Sequence, residues 1–588
     1  MPAFRAQSLN DKEVFPIDVV FTELVRWAFV ALALYILLRS IVSLLRNKSY
    51  AEVWAYLHLE TLKPLKDDQL EMTEISVPLT HWENVIGRTG NCDIVIKDKA
   101  VSRNHGILMR DGSGNWTYRD VGSKNGSFLN NHQITEPMKP VPVNYGDEIC
   151  MGATTCTLLP ISLEEKNNNI HMRRCDTQNM SAGPTFAALT LFQLLAAFQL
   201  ALTVPSETLP QVILAFGGLI LVMWVYLGVM RTMKQTAFEM DTIAFFLSTL
   251  SLAVVASSNP DALKKQLIAV ALGVCAMVII CMMLRNLELT KKMRWVLLFG
   301  AVGLLVFNLT FGSFIFGAKN WIQIGPVSFQ PSELVKVAFI WIGAATLDEL
   351  FQKKNLWTFM FFSGFCFCCL AIMGDFGTAI IFFVTFVVIS FLRSGDFSKL
   401  FLFLGAAFAG GMLIIRFKPY IANRFASWGH VWESEFVDAA GYQQSRAMSA
   451  AASGGLVGVG AGEGWLESVP AADTDMVFCM LTEEWGLIIA LLAVLCIVTL
   501  AVFSVRSIME GRSTFYTIAA CGAMSMFVFQ TMLNVFGSVD LFPFTGVTFP
   551  FVSNGGTSMM VSWALLAFLK SADTRERASI AVKAGERL

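Results

Sequence analysis

Again and again along this chain, runs of about twenty residues hold almost nothing but apolar side chains. They cover Leu24 to Leu45, Pro184 to Val204 and Gln211 to Met230, and about ten more are centred near residues 250, 275, 303, 342, 364, 385, 408, 490, 525 and 563. A helix of that length crosses the roughly 30 Å hydrocarbon core of a bilayer, where a backbone meets its own hydrogen bonds only as helix or closed barrel. The expected fold class is a polytopic α-helical membrane protein. Over 588 residues, 55% are hydrophobic and 15% charged, too apolar for a soluble globular chain. The net charge of −1, from 44 basic and 45 acidic residues, offers no field to a nucleic-acid backbone, so no nucleic acid partner is expected. The 12 cysteines and 6 histidines show neither a disulfide framework nor zinc spacing. The first apolar run starts late and is long enough to span, so no cleavable signal peptide is expected.

Cationic flanks set the expected direction. Segment 1–48 carries Asp11, Glu13, Asp18 and Glu23 ahead of its span and Arg39, Arg46 and Lys48 at its end, which puts the N-terminus outside the cytoplasm. Lys291, Lys292, Arg294, Lys353, Lys354, Arg393, Lys399, Arg506, Arg512, Arg575, Arg577 and Lys583 then fall on the cytoplasmic side; Lys264 and Lys265 fall on the other. By this parity the long polar insert 417–475 is extracytoplasmic.

Between the first span and the hairpin 184–232, composition changes. Residues 49–74 and 161–183 read as linkers, and 75–160 as a β domain with short runs such as Asp93-Ile-Val-Ile broken by Gly, Asn and Asp turns. The spacing suggests a sandwich. Within it stand Gly87-Arg88, Val101-Ser102-Arg103-Asn104-His105 and Asp120-Val-Gly-Ser-Lys-Asn125-Gly126. A phosphate dianion wants a guanidinium fork, a hydroxyl and amide donors on adjacent loops, and these motifs supply them. The segment resembles a forkhead-associated (FHA) domain. The resemblance implies phosphothreonine-peptide binding, with Arg88, Ser102 and Asn125 on the phosphate, Arg103 on the peptide beside it, and His105 bracing the loop.

Four segments of the membrane part carry polar residues where apolar ones cost less: Trp321 to Lys336, Gly374-Asp375-Phe-Gly-Thr378, the insert through Asp475, and Pro543 to Ser558. Intramembrane and mouth-lining polar groups point to function. On local evidence Asp475 is a helix cap, Glu333 and Lys336 either an intrahelical ion pair or substrate contacts, and Asp375 another cap. Together, Gln330-Pro-Ser-Glu333, Gly441-Tyr-Gln443, Ser453-Gly-Gly, Thr474-Asp475 and Pro550-Phe-Val-Ser553-Asn-Gly-Gly556 resemble the SEDS family (the RodA, FtsW and SpoVE group) from about Asp241 to Ala572. Domain 233–573 would be the family's core and 574–588 a cytoplasmic tail.

The resemblance implies a peptidoglycan glycosyltransferase that polymerises lipid II at the outer face of a bacterial cytoplasmic membrane, partnered by a class B penicillin-binding protein transpeptidase. Asp475 would be the catalytic base. Arg424, Arg446, Gln443, Glu333, Lys336, Asp473 and Ser553 are candidate substrate contacts. The chain departs from the family's usual pattern at Asp473 (usually His), Ala471 (Glu), Arg446 (Gln), Asn554 (Tyr) and Gly374 (Pro). A second carboxylate at Asp473 could raise the pKa of Asp475 or help it hold a divalent cation, Mg or Mn. A lipid II flippase and a non-catalytic scaffold recruiting phosphorylated proteins are the rival readings.

Overall fold

The computed structural model describes residues 16–46, 53–64, 70–90, 92–111, 114–168, 181–315, 318–325, 327–347, 353–394, 397–509, 513–573, 575 and 579–581. Asp11, Glu13, Lys48, Arg512, Arg577 and Lys583 of the charge argument lie outside them.

Helix α1 (Pro16–Arg46) leads into the β domain. Its strands are β1 (Ala55–Pro64), β2 (Leu70–Leu79), β3 (Glu83–Gly87), β4 (Ile94–Val95), β5 (Gly106–Arg110), β6 (Trp116–Asp120), β7 (Phe128–Leu129), β8 (His132–Gln133), β9 (Val141–Val143), β10 (Glu148–Met151) and β11 (Thr154–Leu159). They form one sheet in the order β2-β1-β11-β10-β7-β8 and a second in the order β4-β3-β5-β6-β9, the expected sandwich. Leu57, Ile86, Leu108, Trp116, Tyr118, Ile149 and Cys156 fill the space between the two sheets.

The expected boundary at 75 is corrected. Residues 55–64, assigned to a linker, are a full strand whose partners run from Tyr56 opposite Leu159 to Thr61 opposite Thr154. The signal was the alternation of Ala55, Leu57 and Leu59, all buried, with polar neighbours. The second expected linker is helical over 163–168, and 169–180 lie outside the described residues.

The membrane part begins with α2 (Ala182–Thr203) and α3 (Leu209–Thr232), then α4 (Glu239–Ser258), α5 (Leu263–Met283) and α6 (Leu287–Phe311). A small three-stranded sheet, β12 (Ser313–Ile315), β13 (Ala318–Ile324) and β14 (Val327–Phe329), precedes α7 (Pro331–Leu347), α8 (Lys353–Met373), α9 (Phe376–Ser394) and α10 (Phe397–Phe417). The polar insert carries helices of its own, α11 (Pro419–Ser427), α12 (Tyr442–Gly454) and α13 (Ala472–Asp475). α14 (Val477–Trp485), α15 (Leu487–Met509), α16 (Thr514–Ser538) and α17 (Gly556–Ala572) complete the order. Among the described residues 10 helices are long and apolar enough to cross a membrane, by length and composition only. α7, α9 and α17 are shorter apolar helices at the other expected spans.

Sequence periodicity decides which helix sits in the middle. α4 is apolar on every side and is buried from Glu239 to Ala256, as a helix without a polar face must be. Around it pack α1, α2, α3, α5 and α17, with Phe245 touching Phe186, Tyr226 and Trp563. α5 crosses α17 closely because Gly273 has no side chain: a Cβ there would come within 2.9 Å of Trp563.

Two buried ion pairs fasten the start of α4. Lys570 donates to both oxygens of Asp241, at 2.7 and 2.5 Å, and Tyr226 donates to the same carboxylate at 2.8 Å. Arg575, expected in the cytoplasmic tail 574–588, folds back between Asp573 and Glu239, and Ser43 of α1 donates to Glu239 at 2.6 Å. Removing one member of such a pair strands a buried charge. Lys570→Met is therefore expected to cost about 3–5 kcal/mol, read as a fall in the thermal midpoint in detergent. The double variant Asp241→Leu/Lys570→Met is expected to recover most of it.

Candidate functional site

Segments far apart in the chain converge at one end of the bundle, the end that carries the polar insert. The short helix α13 enters through Ala471, whose backbone is left-handed (φ 60°), and ends on Asp475. The cap expected of Asp475 is absent: the next helix is capped by Met476, and no side chain caps it. Asn534 of α16 holds this turn from below, donating to the Asp475 carbonyl at 3.0 Å and to the Val547 carbonyl at 2.7 Å. The Val547 loop in turn brings Gly546 against the carboxylate, where a Cβ would stand 3.0 Å from Oδ2 at a φ of 65°. Only glycine fits there without strain.

Arg424 of α11 reaches the same loop. It donates to the Phe544 carbonyl at 3.1 Å and lies over the Phe544 ring. Burial pushes the Asp475 carboxyl up to about 6; the Thr474 hydroxyl and the Arg424 guanidinium draw it down, and Asp473 and Asp375 push it up. The result is a half-buried carboxylate that is ionised at neutral pH yet far more basic than an exposed aspartate.

Asp473 faces elsewhere. Its Oδ2 accepts from Asn554 at 2.7 Å and from Ser258 at 3.2 Å, and its carbonyl accepts from the Asn554 backbone. Two of the positions that depart from the family pattern are thus bonded to each other. Ser553 completes the clasp by donating to the Thr474 carbonyl at 2.6 Å. Among the described residues no three His, Cys, Asp or Glu side chains come together as a metal cage.

The remaining candidates divide. Glu333 and Lys336 are a buried ion pair at 2.6 Å, with Lys336 also donating to Gln530, whose amide holds Thr548. This is the ion-pair alternative, and it supports the 543–553 loop from beneath. Arg446 pairs with Asp438 at 3.3 Å and stacks on Tyr442, while Gln443 donates to the Pro470 carbonyl at 2.9 Å. Both lie on α12, within the insert, and neither bonds Asp475. Asp375 does cap α9, accepting from the Thr378 backbone, and it also takes donors from Asn320 and Gln330 at 3.1 and 3.0 Å.

Asn534, Gln530 and Gly546 were not singled out from the sequence. Gln530 and Asn534 stand one turn apart in the apolar α16, and that spacing is the signal that could have found them.

In the β domain, the three motif loops meet on one rim. Arg88 and Arg103 are exposed there; the Arg88 backbone donates to the Ser102 carbonyl, and Ser102 Oγ accepts from the Lys124 backbone at 3.0 Å. Asn125 donates to the Ala100 carbonyl at 2.8 Å. His105 is fully buried and ties the loops together: Nδ1 accepts from the Ser102 N–H at 3.0 Å and Nε2 donates to the Gly126 carbonyl at 3.2 Å. Burial holds its pKa below the ordinary imidazole value, which keeps the neutral form that this double role needs.

Residues 84–152 match the family model of the FHA domain, and residues 230–578 match that of FtsW/RodA/SpoVE, described as cell cycle protein. A probable peptidoglycan glycosyltransferase FtsW of Escherichia coli O6:H1 is 30% identical over 297 residues, 48% of this chain and 71% of that protein. Stage V sporulation protein E of Bacillus subtilis is 29% identical over 312 residues, 50% of this chain and 82% of its own. Among solved structures, the rod shape determining protein RodA of Thermus thermophilus is similar at 21% identity with a TM-score of 0.42, over 56% of this chain and 94% of that one. With the family model covering more than half of its length, the chain belongs to the FtsW/RodA/SpoVE family and carries an FHA domain ahead of the family's helical core.

Proposed function

We propose that this protein is a peptidoglycan glycosyltransferase that joins lipid II disaccharide units into glycan strands, and that its FHA domain docks a threonine-phosphorylated partner. The observation that carries the reading is Asp475: a desolvated carboxylate with a pKa of about 6, beside Arg424, at the mouth of the helical core. A base poised near the working pH suits the reaction. The Asp475 carboxylate takes the proton from the acceptor sugar's 4-hydroxyl as that oxygen bonds to the anomeric carbon of the donor. The bond from that carbon to phosphate breaks, and the lipid pyrophosphate leaves with the electron pair. Arg424 offsets the charge that gathers on it.

The two ends of α1 support placing the domains on opposite sides of the membrane. Arg26 bonds the insert that carries Asp475, whereas Ser43, close to the FHA domain, bonds Glu239 at the other end of the bundle. With the cationic loops at the FHA end, that end is cytoplasmic and Asp475 faces outward. A class B penicillin-binding protein would then meet the strand as it is made.

The test is polymerisation of labelled lipid II by the purified full chain, with and without a divalent cation and with and without a partner transpeptidase. Glycan strands carry the proposal; lipid II that crosses vesicles with no strand formed would replace it with the flippase. Asp473→Ala, which loosens the Asn554 clasp and leaves the base in place, is expected to slow strand synthesis by about tenfold, a cost of roughly 1.4 kcal/mol.

A further inference from the structure

The family model begins at residue 230, so α1, α2 and α3 are additions to the family's core. Two of them grip one turn of the polar insert. Arg26 of α1 donates from Nη2 to the Val459 carbonyl, and its guanidinium lies over Gly460, where a Cβ would come within 2.9 Å of it. Thr203, at the end of α2, stands equally close to Gly462, its Oγ1 2.9 Å from where a Cβ would be. One turn along α1, Phe29 packs between Phe192 of α2 and Trp485, with ring centroids 4.2 and 4.8 Å away.

That turn is laced to α14. The Val459 and Gly460 backbones donate to the carbonyls of Glu483 and Glu484, and the Gly462 backbone donates to the Glu484 carboxylate. The Glu483 carboxylate takes the N–H groups of Trp465 and Leu466, at 2.9 and 3.1 Å. Leu466 opens the short stretch that runs through the left-handed Ala471 to Asp475. Hydrogen bonds therefore lead from Arg26 through Glu483 to Leu466, and the backbone leads on from there to the base.

We propose that Arg26 is a positioning residue for strand synthesis: from a helix foreign to the family core, it holds the Gly458–Gly462 turn and so the segment that aims Asp475. The proposal rests on the polymerase reading above. Glu23 fixes the other side of the guanidinium at 3.2 Å, so the side chain arrives already oriented. Without it the turn is held from the α14 side and by Thr203, and the backbone path to Asp475 loosens at its far end. Substrate contacts are untouched, so the loss is expected in turnover and not in binding.

The experiment compares the full chain, wild type, Arg26→Ala and Arg26→Lys, for kcat and KM on labelled lipid II, thermal midpoint, and hydrogen exchange over 458–466. Arg26→Ala is expected to lower kcat about tenfold with KM and midpoint unchanged, and to speed exchange over 458–466. Arg26→Lys, which can still donate to the Val459 carbonyl, is expected to restore at least half of kcat. An unchanged kcat in Arg26→Ala, a loss that lysine does not rescue, or a loss that tracks a lower midpoint would each overturn the proposal. If the wild type itself makes no strand, the polymerase reading fails; exchange over 458–466 then decides separately whether Arg26 holds the turn.

Discussion

Asp475→Asn is expected to lower strand synthesis from lipid II by about 10²–10⁴-fold, the contribution of a positioned general base, or roughly 3–5 kcal/mol. Asparagine keeps the shape, and the bond from Asn534 goes to the backbone carbonyl at 475, so the turn is unchanged. Loss of rate with an unchanged thermal midpoint separates chemistry from folding. The pH dependence has a definite sign. The base works ionised, so kcat/KM is expected to fall about tenfold per pH unit below the carboxyl's pKa of about 6 and to level off above it. Arg424 draws that pKa down and Asp375 pushes it up, so Arg424→Ala moves the acid limb to higher pH and Asp375→Asn moves it to lower pH. Limbs that stay in place in both variants would mean that another group titrates.

Much of this architecture is legible in residue order because the physics behind it is local. A run such as Leu487–Met509 has one cheap conformation in a bilayer, and every expected span is a helix. The rim proposed to take the phosphopeptide is legible for a related reason: Arg88, Ser102 and Asn125 stand on three short loops whose spacing follows from the sandwich. What stayed hidden depends on contacts between distant segments. The strand Ala55–Pro64 was mistaken for a linker because its partner, Thr154–Leu159, closes the domain from its other end. Asp473 does push the Asp475 carboxyl up, as a neighbouring carboxylate is expected to, but nothing local announces that Asn554 and Ser258 also hold its oxygen. Arg575 looked like a tail charge until Glu239, at the start of the core, claimed it. Asp475 itself carries a helix-cap signature, and only the fold shows that the signature is unused.

Arg88→Ala is expected to weaken binding of a phosphothreonine peptide to the full chain by about 10–150-fold, the 1.5–3 kcal/mol of a hydrogen bond to a charged group. The side chain is exposed while its backbone is tied to the Ser102 carbonyl, so the substitution removes a donor and leaves the loop standing. His105→Ala reaches the same surface by another route. His105 spends both ring nitrogens on the backbones of Ser102 and Gly126, so its loss frees two loops at once and exposes a void in the core of the rim. Affinity and domain stability are then expected to fall together, whereas Arg88→Ala lowers affinity alone. Titration of the purified chain with phosphorylated and unphosphorylated forms of one peptide, followed calorimetrically beside the thermal midpoint, distinguishes the two. Equal binding of both forms by the wild type would remove the phosphate from the recognition. A loss in Arg88→Ala that is the same for both forms would leave Arg88 on the peptide and off the phosphate. The loss confined to the phosphorylated form is the outcome that this rim of donors requires.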